Sequence, residues 1–204
     1  MSIRLITITG PATAVLTTAE AKTHLRVTHS SDDTYIDGLV DTARTIVESR
    51  SGWKMFTQTL ELRADSFNEK GLADPTAKDI IGLRVAPVAS ITSIKYYNTA
   101  DSDTEISNTD YWTDLLGVPC RLQIKNSWPS TNERIGNVRI RLVAGTVKDK
   151  IPEHLLLAVK LLVGHWYENR EETITGTQIN TIPEGVNRII FSSPEFHHYS
   201  TGSI

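Results

Sequence analysis

A chain of 204 residues is long enough for one substantial core or two small ones, burying roughly 70% of the surface an unfolded chain exposes. A net charge of −3 and a pI near 6.1 leave no basic excess of the kind that marks a nucleic-acid binder. Cys120 stands alone, which excludes an intramolecular disulfide and suits a reducing compartment.

The opening MSIRLITITGP lacks a basic-plus-apolar signal pattern, and no apolar run approaches the ~20 residues of a membrane span. A soluble, cytosolically made protein is expected, with no membrane contact. Within that opening, IRLITI is a short β-prone run ended by Gly10-Pro11. The segment TTAEAKTHLRV then begins as a capping box, Thr17 with Glu20, staple residues Leu16 and Ala21 flanking it. It predicts a short helix over 18–26.

A second helix is predicted over 32–51, about 30 Å long, capped by Ser30 or Ser31 and stopped by Gly52. Ile36, Leu39, Val40, Ala43, Ile46 and Val47 mark its apolar face, and Asp37, Asp41, Arg44 and Glu48 its polar, outward one. From Met55 to Val147 the period changes to that of strands. Six or seven short runs, among them 56–63, 80–85, 91–97, 111–113, 121–124 and 137–143, are separated by Pro, Gly, Asn and Asp clusters. They predict a small antiparallel sandwich or barrel inserted between helices, with polar loops at 66–78 and 99–109.

Residues 151–170, IPEHLLLAVKLLVGHWYENR, form the stretch around which the chain is organised. Pro152 suits the first helical position, and Leu155, Val159, Leu162 and Trp166 run down one wide apolar stripe with Leu156, Val163 and Tyr167 beside them. Trp166 is expected in the core, where its truncation to alanine costs ~3–5 kcal/mol. Residues 171–181 read as irregular, and a second proline-led segment predicts a short helix over 183–191. The fold class is α+β. Its parts are an N-terminal helical part over 1–54, a β-rich insert over 55–147, a helical part over 148–192 completing the bundle, and a tail over 193–204.

No catalytic, metal or cofactor constellation emerges. Asp101, Asp103 and Glu105 alternate as in a calcium loop but lack its glycine and terminal glutamate, so a solvated hairpin tip is the reading. His24, His29 and His154 lie far apart, and the adjacent His197 and His198 lack further ligands. There is no GxSxG elbow, P-loop or dinucleotide fingerprint, and Cys120 reads as a small half-buried hydrophobe. Trp53, Trp112 and Trp128 read as residues that close a core.

The order of several fragments carries a resemblance. Thr17 to Gly52 resembles the opening of the head–tail connector (adaptor) proteins of tailed bacteriophages, with its AEAK helix, HLRV turn and acid-led long helix. Gln58 to Glu61 is similar to that family's first insert strand, and Pro87 to Ile94 to its proline-led central strand. Trp128-Pro129, Ala144-Gly145-Thr146, the helix from Ile151 to Glu171 and Pro183 to Val186 continue the likeness, over roughly residues 13–192. Residues 193–204 extend past it.

The resemblance implies a homo-oligomeric ring, commonly of twelve copies, beneath the portal protein at the head–tail interface of a virion assembled in the host cytoplasm. The ring extends the DNA channel, without sequence-specific binding, and docks the stopper or tail-completion protein. It needs no enzyme chemistry and no cofactor. Two rivals stay open. A DNA-packaging or DNA-binding component would use Arg121, Lys125, Arg139 and Arg141, and a sugar-binding or enzymatic β-module would use Trp112 and Trp128. Partner contacts are expected at Asp41 and Arg44 on helix two, and at Phe191, Phe196, His197 and Tyr199 near the C-terminus, where the portal contact is expected.

Overall fold

The computed structural model describes residues 3–69, 72–73, 79–170, 173–174, 177–178 and 182–192. The capping box is formed: Thr17 Oγ1 accepts from the Glu20 N–H at 3.2 Å, and the Glu20 carboxylate accepts from the Thr17 N–H at 2.8 Å. Helix α1 (Thr18–Leu25) begins there and ends at Arg26, which turns left-handed at φ 58°. Helix α2 (Asp33–Ser51) stops at Gly52, also left-handed. Its N-cap is Asp32, not the expected Ser30 or Ser31, and no side chain caps it. The Asp32 carboxylate instead accepts from Tyr167 Oη and Arg170, both at 2.7 Å, and so joins the start of α2 to a helix far along the chain.

That partner is α3 (Glu153–Glu168), followed by α4 (Glu184–Ile190). Pro152 and Pro183 are N-caps, one position ahead of the expected first turn. Extended backbone at both (ψ 129° and 135°) keeps them outside the helical conformation. Leu155, Ala158, Val159, Leu162 and Val163 of α3 are buried against Ile36, Val40, Ala43 and Val47 of α2, with Val186 and Ile190 of α4 completing the cluster. Each leucine buried this way contributes roughly 1.5–3 kcal/mol. Trp166 is not in that buried set; it is half-buried at the edge of the cluster, because the stripe drifts outward along the last turn of α3.

Strands β1 (Arg4–Thr9), β2 (Gln58–Ala64), β3 (Ile80–Leu83) and β4 (Val88–Tyr97) come before β5 (Asp103–Glu105), β6 (Tyr111–Asp114), β7 (Cys120–Ile124) and β8 (Val138–Ala144). They make an antiparallel five-stranded sheet in the order β1-β2-β8-β4-β5 and an antiparallel three-stranded sheet in the order β3-β7-β6. The second core lies between them, with Leu60, Leu62, Ile94, Ile140 and Leu142 from one sheet and Ile81, Leu83 and Leu122 from the other. Several details depart from expectation. The N-terminal run pairs with β2 and so joins the sheet, and 171–181, expected irregular, holds an antiparallel pair of β9 (Thr173–Ile174) and β10 (Thr177–Gln178). Of the segments expected as polar loops, 99–109 contains β5, paired with β4, and 66–78 gives Phe67 and Leu72 to the second core.

The helical and β parts meet at a joint of backbone contacts. Ala86 N–H donates to Gly52 O at 3.0 Å, and Lys54 N–H donates to Ala86 O at 2.6 Å. Gly145, at φ 107°, donates to Pro87 O at 2.9 Å while its α-carbon lies against the Phe56 carbonyl, so a Cβ there would overlap that backbone. Trp53 packs against both cores.

Candidate interaction surface

Helix α2 was expected to turn Asp37, Asp41, Arg44 and Glu48 outward as one strip, and the strip divides in two. Asp37 accepts from Thr18 Oγ1 at 2.7 Å, and the Asp41 side chain is 74% exposed. Glu48 is buried, a correction to the outward reading. Its carboxylate accepts from the Met55 N–H at 2.9 Å and from Gln58 Nε2 at 3.3 Å, with Arg44 at 3.2 Å and Lys54 at 3.6 Å completing a charged cluster. Arg44 bridges Asp41 and Glu48 with only 12% of its side chain exposed. Helical periodicity alone hides this, because the cover over Glu48 comes from the chain folding back into β2. The nearby Lys54 and Gln58 were the legible signal.

At the C-terminal end Phe191 is the C-cap of α4 and packs, half-buried, on the helical core. Arg50 donates to Asn187 Oδ1 at 3.1 Å and holds α4 against α2. Phe196, His197 and Tyr199 lie outside the described residues, so the expected tail contacts have no structural account.

Among the described residues, two elements expose more than one large apolar side chain. Leu157 and Leu161, one turn apart on α3, are 45% and 36% exposed, between the exposed acids Glu153 and Glu168. On β1 all six residues are exposed, including Leu5, Ile6 and Ile8, and its outer edge has no strand beside it among the described residues. At the other end of α3, Arg170 lies over the Tyr35 ring at 4.7 Å and the Tyr167 ring at 5.2 Å, with Tyr167 also bonded to Asp32. The Tyr167 hydroxyl and the Arg170 guanidinium hold the Asp32 carboxyl below the usual range.

The arrangement has little to offer catalysis. Cys120 is fully buried rather than half-buried, its Sγ against Leu115 O at 3.4 Å, and burial pushes its thiol pKa up, away from the nucleophilic form. Asp101 pairs with Arg134, Asp103 with Arg139 and Glu105 with Lys95, so the hairpin carboxylates diverge onto separate cations. Among the described residues no three His, Cys, Asp or Glu side chains converge as metal ligands. Trp128 stacks on Phe67 at 4.5 Å as a core residue should, but Trp112 is 56% exposed with Lys125 over its ring, contrary to expectation. Its strand, β6, is the edge of the smaller sheet, with no strand beyond it among the described residues. The proposed basic strip also separates: Arg121 and Lys125 belong with the three-stranded sheet, Arg139 and Arg141 with the five-stranded one. A shallow groove of about 620 Å³ between the end of α1 and the start of α2 is lined by Thr18, Lys22, Arg26 and Asp33, and Lys22 and Asp33 pair across it at 2.7 Å.

The sequence model described as "Head completion protein" matches residues 14–192. Solved structures share the fold. One, from the neck of an empty gene transfer agent (GTA) particle computed with C6 symmetry, is 22% identical with a TM-score of 0.69, covering 92% of this chain and 93% of that one. A second, from the virion of a native gene transfer agent particle, is 21% identical with a TM-score of 0.70, over 91% and 92% of the two chains. A third, from the neck of a native GTA particle computed with C12 symmetry, is 22% identical with a TM-score of 0.58, over 90% and 92%. No curated protein matches. The chain belongs to the head completion protein family.

Proposed function

We propose that this member of the head completion family is a structural head–tail connector that works as a ring, of twelve copies, in the neck of a phage-like particle. The ring sits beneath the portal, continues the DNA channel and presents a surface to the stopper or tail, with no chemistry of its own. The observation that carries this reading is the family match over residues 14–192. The C6 and C12 symmetries of the neck structures that share the fold are in keeping with a ring. So is the pattern of surface and interior. The hairpin carboxylates and Glu61 are held by neighbouring cations, the lone thiol is buried, and large apolar side chains are left outward on α3 and β1.

Within the ring, Leu157 and Leu161 of α3 and the exposed Asp41 of α2 supply contacts between copies. Phe191 and the segment after it supply the portal contact. The test is a mass measurement of the purified protein, alone and mixed with its portal. A ring is expected in at least one of the two, and Leu157→Ser with Leu161→Ser should reduce it to monomers without lowering the melting temperature. A monomer under both conditions sinks the ring. Removing residues 193–204 should leave the fold intact and weaken portal co-purification; unchanged co-purification moves the portal contact to the helical body.

A further inference from the structure

The pairing register of the five-stranded sheet sets four cations side by side. Arg4 on β1 lies opposite Arg63 on β2, Arg63 opposite Arg139 on β8, and Arg139 opposite Lys95 on β4. With strands ~4.8 Å apart, the row crosses three strand gaps and spans roughly 14 Å. One step along the strands, Arg141 lies opposite Glu61. On β2, β4 and β8 these residues alternate with the buried Leu62, Ile94, Val138 and Ile140 and so stand on the outer face of the sheet. Arg4, on the fully exposed β1, shares that face through its register with Arg63.

Like charges directly opposite on a sheet are destabilising, and the inward residues already supply the packing. Three carboxylates relieve the row in part. Glu61 lies buried between Arg63 at 2.7 Å and Arg141 at 2.8 Å, Asp103 takes Arg139 at 2.6 Å, and Glu105 takes Lys95 at 3.5 Å. Burial pushes the Glu61 carboxyl up, but its two arginines outweigh that and keep it below the ordinary range. Five cations thus face three carboxylates on a molecule whose net charge is −3. The side chains of Arg63, Lys95 and Arg141 remain 44%, 43% and 45% exposed, and Arg4 is exposed. Arg139 is the fixed member, clasped by Asp103 and set over the Tyr97 ring at 4.7 Å.

We propose that this outer sheet face is a contact for the phosphodiester backbone of DNA. A B-form duplex carries one negative charge about every 1.7 Å of axis, both strands counted, so a row of cations roughly 14 Å long meets several phosphates at once. Backbone contact of this kind carries no sequence information. The carboxylates woven among the cations weaken the grip and leave a surface over which DNA slides. The inference rests on the head–tail reading only for the source of the DNA.

The experiment is titration of a labelled duplex of arbitrary sequence, about 30 base pairs long, with the full chain between about 50 and 200 mM salt. The same titration is made with Arg4→Gln/Lys95→Gln, which leaves both partners of Glu61 in place. Melting temperature and assembled mass are recorded for both proteins. The parent is expected to bind at low salt and to lose affinity steeply as salt rises. In the double variant the logarithmic salt slope should fall by about two, one per phosphate contact removed, with melting temperature and mass unchanged. No duplex binding by the parent at low salt, or an unchanged slope in the variant, overturns the proposal. A smaller assembly with unchanged duplex binding also overturns it and assigns the row to an acidic surface of a neighbouring copy. If the parent never forms a ring but the slope falls as expected, the ring reading fails and the DNA contact stands.

Discussion

The helical and β parts each close a core of fully buried aliphatic side chains, yet they turn opposite faces to the outside. The helical part exposes Leu157, Leu161 and Tyr35, whereas the outer face of the five-stranded sheet is set with Arg63, Arg139, Arg141 and Lys95. Period explains the contrast. A helix whose apolar stripe is wider than its neighbours can cover leaves aliphatic flanks exposed, while a strand alternates strictly and frees one face for charge. The flank of α3 is suited to protein partners and the charged strands β2, β8 and β4 to an anion, while β1 sets the exposed Leu5, Ile6 and Ile8 at the edge of the same sheet. The two parts act as one body only if the joint between them is stiff.

Gly145 is where that joint breaks most easily. Gly145→Ala forces a Cβ into the Phe56 carbonyl at a positive φ and should cost about 4 kcal/mol, measured by denaturant unfolding. Gly82→Ala, where nothing lies within 4 Å of the new carbon, is the control and should change stability by less than about 1 kcal/mol. Equal shifts from the two would mean that the halves are only loosely joined.

Glu48 tests the same joint through charge. Glu48→Ala leaves Arg44 and Lys54 without their shared carboxylate and should cost about 3 kcal/mol. Arg44→Glu sets a second carboxylate beside Glu48 and should lower the unfolding midpoint in the monomer itself, so lost assembly in that variant is no evidence for a contact between copies. Asp41→Asn, which sets no like charge beside Arg44, is the cleaner probe at this exposed site and should shift stability by no more than about 0.5 kcal/mol. An Arg44→Glu protein as stable as the parent would return Arg44 to the outside.

Depth within the helical part predicts a ranking. Leu162→Ala, fully buried, should cost about 3 kcal/mol, and the half-buried Trp166→Ala about 1–2 kcal/mol despite its larger ring. The reverse order in thermal melts would put Trp166 back in the core.

The smallest effect is in pH. Lys148, just past the sheet, reaches Glu20 on α1 at 2.7 Å, and with the Thr17 N–H it lowers the Glu20 pKa from 4.5 to about 2. A lowered carboxylate stabilises the fold above its unfolded value, and the contribution disappears as pH falls from about 5 towards 2. The pair is solvent-exposed, so the loss should stay below about 1 kcal/mol. Glu20→Gln should flatten that part of the stability curve; an unchanged curve would show that the pair adds nothing across the joint.

Much of the molecule is legible in its local chemistry. Thr17 and Glu20 announce α1, Gly52 ends α2, and the alternation around Leu60, Ile140 and Leu142 marks strands with one buried face. The α+β class and the family resemblance rest on such signals, which depend on neighbours a few residues apart. Less legible were Glu48, whose cover comes from β2, and Asp32, whose partners lie on α3 and just beyond it. For Trp166 the stripe predicted its side of the helix correctly but not how far the neighbouring helices extend over it.

The amino-acid sequence by itself determined the main helices and strands, their order and the apolar face of most of them, because burial follows a period that the side chains display directly. Only the tertiary structure decided which outward residues meet. Arg4, Arg63, Lys95 and Arg139 lie far apart along the chain, and each alone reads as an ordinary solvated charge. Their alignment depends on the register of three strand pairings, and a slip of one residue in any of them would turn that strand's charges to the opposite face.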